Sequence, residues 1–199
     1  CNRLTKQTIR TFDENKTSTK SIVYVYGNPD HMYPTRETVQ ADPYPVVMDY
    51  KYPQDLTFAD SREEAGRTGL INNNILSTVL LAEKSVSGKT WFTKTKYLNT
   101  DSNPIPRAVS ISEGPGLNRL RMKQRVDKFD VMGNPVQITD NEKTSVYLWG
   151  YGGRRLIAEI QNATYAEVSA SLGQSVINRM LTGLFPGVSD LLSLNDLRT

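Results

Sequence analysis

Apolar and polar residues alternate along most of the first 160 residues, and a period of two predicts β-strands. The alternation is clearest between residues 128 and 160, where Val136 and Ile138 are separated by polar neighbours. A turn sequence precedes them, because Asp130 can accept hydrogen bonds from its own backbone and Gly133 tolerates a positive φ. This stretch predicts a strand, a tight turn and a second strand.

The same alternation predicts further strands, mostly joined as hairpins by turns rich in Gly, Asn and Pro: residues 4–12, 19–26, 34–39, 46–52, 79–86, 90–98, 107–112 and 117–126. Prolines on both sides of residues 46–52 predict a short or edge strand there. Three segments (24–39, 96–111 and 128–138) share an aromatic strand end, a turn with Asn and a following Pro. They predict degenerate repeats that pair into a continuous curved sheet.

Two capping patterns predict helices, because an acceptor side chain at Asp60 or Thr164 is followed three residues later by a glutamate. Gly66 and Gly69 predict that the first helix is short, near residues 60–68, and that residues 70–74 form a loop. After residue 161 the apolar residues recur at helical spacing. The predicted division is therefore a β-hairpin repeat sheet over 1–161 and a helical segment over 162–199 that packs on it.

The predicted fold class is mainly β, with antiparallel hairpins in a curved sheet, one short mid-chain helix and a helical C-terminal segment. The 199 residues carry 24 Lys and Arg against 21 Asp and Glu, and a net charge of +3 is too small to predict a nucleic-acid partner. No run approaches the roughly 20 apolar residues of a transmembrane helix. Any membrane attachment would go through Cys1, the sole cysteine, if it is the lipidated first residue of a bacterial lipoprotein. The other interpretation is that Cys1 is where a fragment begins.

The turn formed by Phe129, Asp130, Gly133 and Asn134 resembles the aromatic-Asp-x-x-Gly-Asn turn of the YD-repeat, or rearrangement-hotspot (RHS), family. Residues 147–151 (Tyr-Leu-Trp-Gly-Tyr) and 162–168 are similar to a stretch of large YD-repeat proteins of the Bacteroidetes, where a helical insertion follows. The chain differs in having one good YD turn, and in lacking the Asp-Pro-Gly signature of the self-cleaving protease in toxin-delivering relatives. More repeats usually follow the insertion, so we interpret the chain as a fragment of a longer one.

The resemblance implies a secreted or cell-surface bacterial protein whose repeats form a β-shell, sometimes enclosing a toxin. The functional hypothesis is a non-enzymatic structural repeat segment whose partners are neighbouring repeats of the same chain. The alternative is a surface binding module for a glycan or protein, with Trp91, Trp149, Tyr151 and a basic row facing the ligand. That row consists of Arg119, Arg121, Lys123 and Arg125, which alternate along one predicted strand. Each aromatic or basic group also has a simpler interpretation as sheet packing or a solvated strand face.

No catalytic, cofactor-binding or metal site is predicted. His31 is the single histidine, lies in a turn-forming Pro-Asp-His-Met sequence, and is expected to be a solvated loop residue. One histidine and one cysteine do not provide metal-ligand spacing. Glu63 and Glu64 are adjacent on a predicted helix and therefore point apart, which is unsuited to an acid/base pair.

Overall fold

The computed structural model describes residues 3–13, 16–40, 43–99, 105–183 and 187–195. In this part the chain is mainly β, with eleven antiparallel strands and four α-helices, which confirms the predicted fold class. It divides into two compact units, Cys1–Met122 and Lys123–Thr199. The predicted boundary after residue 161 divided the chain into a sheet and a helical segment. The boundary between the compact units lies instead between Met122 and Lys123, so that each unit contains both strands and helix. Cys1 lies outside the described residues.

In the first unit the strand order follows the chain order, and each strand is antiparallel to the next. The strands are β1 (Lys6–Asp13), β2 (Lys16–Val25), β3 (Arg36–Gln40), β4 (Val46–Lys51), β5 (Leu81–Val86), β6 (Lys89–Leu98) and β7 (Arg107–Gly114). Of the two alternatives for residues 46–52, the edge strand is wrong, because β4 pairs with β3 on one side and β5 on the other, whereas a short strand of six residues is present. The flanking prolines lie outside the strand and remove no ladder hydrogen bond.

The mid-chain helix α1 (Ser61–Asn72) is longer than predicted and includes most of the expected loop at residues 70–74. Asp60 caps it as predicted, since its side chain accepts a hydrogen bond from the Glu63 N–H at 2.8 Å. Gly66 does not end the helix but lets it approach β6. A Cβ built on Gly66 would lie 2.1 Å from the Tyr97 carbonyl oxygen, so only glycine fits.

The second unit contains β8 (Arg121–Phe129, most of which belongs here), β9 (Pro135–Asp140), β10 (Lys143–Gly150) and β11 (Arg155–Gln161). Three helices follow them, α2 (Tyr165–Leu172), α3 (Gln174–Thr182) and α4 (Val188–Asn195). Thr164 and Glu167 form the predicted capping box of α2, and Gly173 separates α2 from α3 with a φ of 81°. The predicted helical segment is thereby confirmed.

The core of the second unit lies between its sheet and its helices. Val146 and Leu148 of β10 are buried against Val168, Leu172 and Ile177 of the helices. The sheet residues alternate as the period of two predicts, so their neighbours point to the opposite, polar face. No helix in the described part of the chain is long and apolar enough to cross a bilayer.

Candidate functional site

The Asp130 turn between β8 and β9 uses its polar groups to hold itself together. Asp130 Oδ1 accepts hydrogen bonds from the backbone N–H groups of Met132 (2.8 Å) and Asn134 (2.9 Å). Asn134 Nδ2 donates to Asp130 Oδ2 and to the Gly153 carbonyl. Gly133 adopts a φ of 82°, as its turn position requires. These residues therefore determine the geometry of the hairpin, and their carboxylate and amide are already bonded within the turn.

Trp149 lines a groove between the sheet and the helices of the second unit, which we name the α3 groove. Its volume is about 250 Å³. The Trp149 indole N–H donates to the Pro135 carbonyl oxygen at 2.8 Å, which fixes the ring plane. The lining residues come from β8 to β10 and from α2 and α3: Lys128, Phe129, Asp130, Val131, Val136, Tyr147, Leu148, Trp149, Tyr165, Gln174, Ile177, Asn178 and Leu181.

The other two predicted aromatic residues do not line this groove. Tyr151 lies in the turn between β10 and β11 with a φ of 56°, and the Arg155 guanidinium carbon stands 5.6 Å from its ring centroid. Trp91 belongs to β6 in the first unit, is 47% exposed and faces Lys84 of β5 across the ladder. The predicted aromatic set is therefore not gathered in the α3 groove.

The basic row is shorter than predicted. Arg119 is not on the strand, because residues Leu117–Arg119 form a 3-10 turn before β8 begins at Arg121. Arg121, Lys123 and Arg125 alternate along β8 and are exposed. Arg125 forms an ion pair with Asp127, two residues further along the same strand. The Asp127 carboxylate therefore offsets part of the row's charge, and hydrogen bonds from Gln137 and Thr139 hold it in place.

The sheet of the second unit has a polar face on the side opposite the core. This concave polar face forms a pocket of about 490 Å³. Tyr147 and Glu159 face each other across β10 and β11, with Ser145 and Gln161 as the next pair on the same face. The full lining is Gln124, Ile138, Asp140, Asn141, Lys143, Ser145, Tyr147, Glu159, Gln161 and Asn162. An aromatic ring surrounded by amide and carboxylate groups is suited to a ligand that carries hydroxyl groups.

His31 is buried, at 5% exposure, and the expectation of a solvated loop histidine is wrong. Its Nε2 lies 3.3 Å from both carboxylate oxygens of Asp55, and its Nδ1 accepts the Tyr33 N–H at 3.2 Å. Asp55 also accepts hydrogen bonds from Asn28 Nδ2 and the Tyr52 N–H. Burial raises the pKa of Asp55, but these hydrogen bonds outweigh it and hold the pKa below its ordinary value.

A histidine beside an aspartate is two thirds of a catalytic triad, but here both ring nitrogens of His31 are engaged. In a triad the nitrogen remote from the carboxylate must be free to take the proton of a nucleophile. In this structure that nitrogen accepts a backbone N–H from Tyr33. The His31–Asp55 contact therefore connects the loop after β2 to the 3-10 turn Pro53–Asp55, which is a structural role.

Glu63 is a second buried ionisable residue, and Asp190 of α4, which pairs with Arg179 of α3, is a third. Glu63 is 7% exposed, and its carboxylate faces Lys94 of β6. Lys94 Nζ lies 2.7 Å from Glu63 Oε1 and 4.8 Å from the Phe58 ring centroid. Glu64, the adjacent residue, instead binds Arg67 on the same helix. The two glutamates point apart as predicted.

Within the described ranges there is no group of three or more His, Cys, Asp or Glu side chains placed to hold a metal ion. Two pairs of interacting residues that are far apart in the sequence were not predicted. His31 and Asp55 are separated by 24 residues, and Glu63 and Lys94 belong to different elements. The spacing of residues along the chain indicates neither pair. A buried carboxylate such as that of Glu63 needs a charge partner, but the sequence does not show which residue supplies it.

Comparisons with known proteins give no relative for this chain. No protein family, no curated protein and no solved structure matches it.

Proposed function

We propose that this chain is a non-enzymatic structural segment, a run of β-hairpins that contributes to a larger scaffold or shell. The observation that carries the proposal is the strand order, which follows the chain order with antiparallel neighbours throughout each unit. A sheet of this kind is lengthened by adding hairpins at its ends without rearranging the strands already present. Repeat units of this type build surfaces and enclosures.

The sheet edges are consistent with such an extension. Among the described residues, β1 pairs only with β2, and β11 pairs only with β10. Phe12 on β1 is 75% exposed and Leu156 on β11 is 46% exposed. Exposed edge strands with apolar side chains are normally paired or covered in a native protein. Neighbouring repeats of the same longer chain are the partners that we propose for them.

The setting that we propose is a large YD/RHS-repeat protein at the bacterial cell surface or secreted from the cell, with toxin encapsulation as one use of the shell. This part of the proposal rests on the resemblance of the Asp130 turn and of residues 147–151. The way the turn is bonded supports it, because Asp130, Gly133 and Asn134 each have a structural role in the hairpin.

A cryo-electron microscopy map of the native protein, isolated from its source at full length, tests the scaffold proposal. We expect continuous density in which the β1 or β11 edge is paired with strands of further repeats. A map in which residues 1–199 form a separate globule with both edges free would contradict it. Protease shaving of intact cells tests the setting, and peptides of this chain are expected in the shaved fraction.

The second candidate is a binding module, and the concave polar face around Tyr147 favours a glycan as its ligand. A glycan array probed with the unmodified chain and with Tyr147→Ala tests this candidate. Hits that the substitution abolishes would support binding by this face. An array without hits would contradict the glycan-binding candidate, and the scaffold would be the remaining proposal.

A further inference from the structure

The α3 groove of the second unit offers apolar surface on its floor. Val136, Leu148, Ile177 and Leu181 are buried side chains that form the floor, and Trp149 is a further lining residue. The indole N–H of Trp149 is already bonded to the Pro135 carbonyl oxygen. A group that enters the groove therefore meets carbon atoms and an aromatic ring, and leaves no polar atom of the floor without a partner.

Most polar groups at the rim of the groove are satisfied within the protein. Gln174 Nε2 donates to the Tyr165 hydroxyl at 3.0 Å and to Asn178 Oδ1 at 2.9 Å. The Asp130 carboxylate accepts three hydrogen bonds inside its own turn. These contacts hold the rim in place before any ligand arrives, which reduces the ordering cost of binding.

Lys128 is the exception at the rim. Its Nζ lies 4.0 Å from the centroid of the Tyr165 ring, so the ring face holds the ammonium at the mouth of the groove. No carboxylate in the described part of the chain lies within ion-pair distance of Lys128. An ammonium has three donors, and a ring face replaces none of the strong hydrogen bonds that a carboxylate would accept. Lys128 is exposed, so its ammonium can donate to an anion that enters the mouth of the groove.

The size of the groove limits the ligand. A volume of about 250 Å³ is below the range of roughly 300 to 1,000 Å³ that is typical of pockets for larger organic ligands. It is sufficient for one aromatic ring or one branched aliphatic group.

We propose that the α3 groove binds a small carboxylic acid that carries a single aromatic or branched apolar group. The apolar group occupies the floor between Trp149 and Leu181, and the carboxylate meets Lys128 at the rim. This binding site is independent of the scaffold function, because the groove lies within the second unit and uses none of the sheet edges.

Phenylacetate and its neutral analogue phenylacetamide are the probes that test the site, since they have the same shape and differ in charge. Binding is followed by the two indole N–H signals in ¹H–¹⁵N NMR spectra, with Trp91→Phe used to assign them. We expect phenylacetate to shift the Trp149 signal in a saturable manner and to leave the Trp91 signal in place. Phenylacetamide is expected to bind about tenfold more weakly, because it lacks the charge-assisted contact with Lys128.

Two variants and one control separate this site from nonspecific association. Lys128→Met is expected to remove the preference for the acid, so that both probes bind equally weakly. Asn178→Trp places a large side chain at the exposed rim and is expected to abolish binding of both probes. Lys89→Met removes an exposed lysine from the first unit and is expected to leave the dissociation constant unchanged.

Equal binding of the acid and the amide to the unmodified chain would overturn the proposal, as would the absence of any Trp149 shift. Equal weakening by Lys128→Met and Lys89→Met would overturn it as well. The thermal unfolding profile of each variant shows whether the fold is retained. If Lys128→Met is unstable, Asn178→Trp and the control Lys89→Met keep the test decisive.

Discussion

The two units attach helices to their sheets by different physical means. In the first unit α1 meets β6 through the bare backbone of Gly66 and through the buried ion pair of Glu63 with Lys94. In the second unit α2 and α3 cover the sheet with apolar side chains such as Leu172 and Ile177. Apolar residues at helical spacing make the apolar contact of the second unit visible in the sequence. The close backbone approach and the ion pair of the first unit leave no periodic pattern.

Removing a side chain from the apolar contact is expected to have the largest effect. Leu148→Ala deletes a 2%-exposed residue under the helices, and we expect a loss of about 3 kcal/mol in the free energy of unfolding. Urea unfolding followed by Trp149 fluorescence measures it. Leu156→Ala is the matched control, because Leu156 lies on the neighbouring strand with 46% exposure, and its cost should be well under half as large. Equal costs would mean that the helices do not bury Leu148.

The close approach of α1 to β6 predicts the next largest effect. Gly66→Ala would place a methyl group 2.1 Å from the Tyr97 carbonyl oxygen and force the helix away from the strand. We expect a loss of about 2 kcal/mol in stability, although alanine is the better helix former. Trp91 fluorescence reports on this unit. Gly116→Ala is the control, since a Cβ there meets nothing within 4 Å and its φ of −175° suits any residue. A stabilised Gly66→Ala variant would refute the close contact.

The ion pair beneath α1 predicts a smaller change. Lys94→Met keeps the length of the side chain but leaves the buried Glu63 carboxylate with only the longer contact to Lys96 Nζ, at 4.0 Å. Because Lys94 is 30% exposed and water partly screens the pair, we expect a loss of about 1 kcal/mol. Lys84→Met on β5 removes an exposed lysine and should change the unfolding midpoint very little. The double variant Glu63→Gln, Lys94→Met should recover part of the loss if the unpaired charge is its cause.

Acid titration gives the smallest expected effect and concerns Glu64. Hydrogen bonds from Arg67, and then from the Phe58 N–H, lower the pKa of Glu64 from 4.5 to about 2, although burial opposes them. The folded state therefore favours the ionised carboxylate, and its contribution to stability is complete above about pH 4.5 and lost as the pH falls towards 2. Glu64→Gln should flatten the stability profile in this window. Glu142→Gln, in the exposed turn between β9 and β10, is the matched control for the loss of one carboxylate.

Local chemistry explains which elements could be predicted from the sequence. Period-two alternation indicated the strands, and the acceptor residues Asp60 and Thr164 indicated where α1 and α2 begin. The errors share a cause. Gly66 was interpreted as a helix breaker because its role depends on Tyr97, 31 positions away in the sequence. Arg119 was assigned to a strand because alternation continues through the 3-10 turn that precedes β8.

The candidate sites were less predictable than the fold. Trp149 was predicted to face a ligand and does line a groove, but one side of that groove comes from α2 and α3, which no strand pattern places beside it. His31 was expected in solvent because its turn sequence is polar, and its burial depends on Asp55. In each case a contact between distant residues decided the outcome.

The contrast between the two helix attachments is tested most directly by amide hydrogen exchange of the unmodified chain and of Gly66→Ala under native conditions. We predict that the α1 amides (residues 61–72) exchange much faster in the variant, because the helix loses its close contact with β6. The amides of α2 and α3, which rest on apolar side chains, should keep their protection. Unchanged protection of α1 in Gly66→Ala would contradict the account.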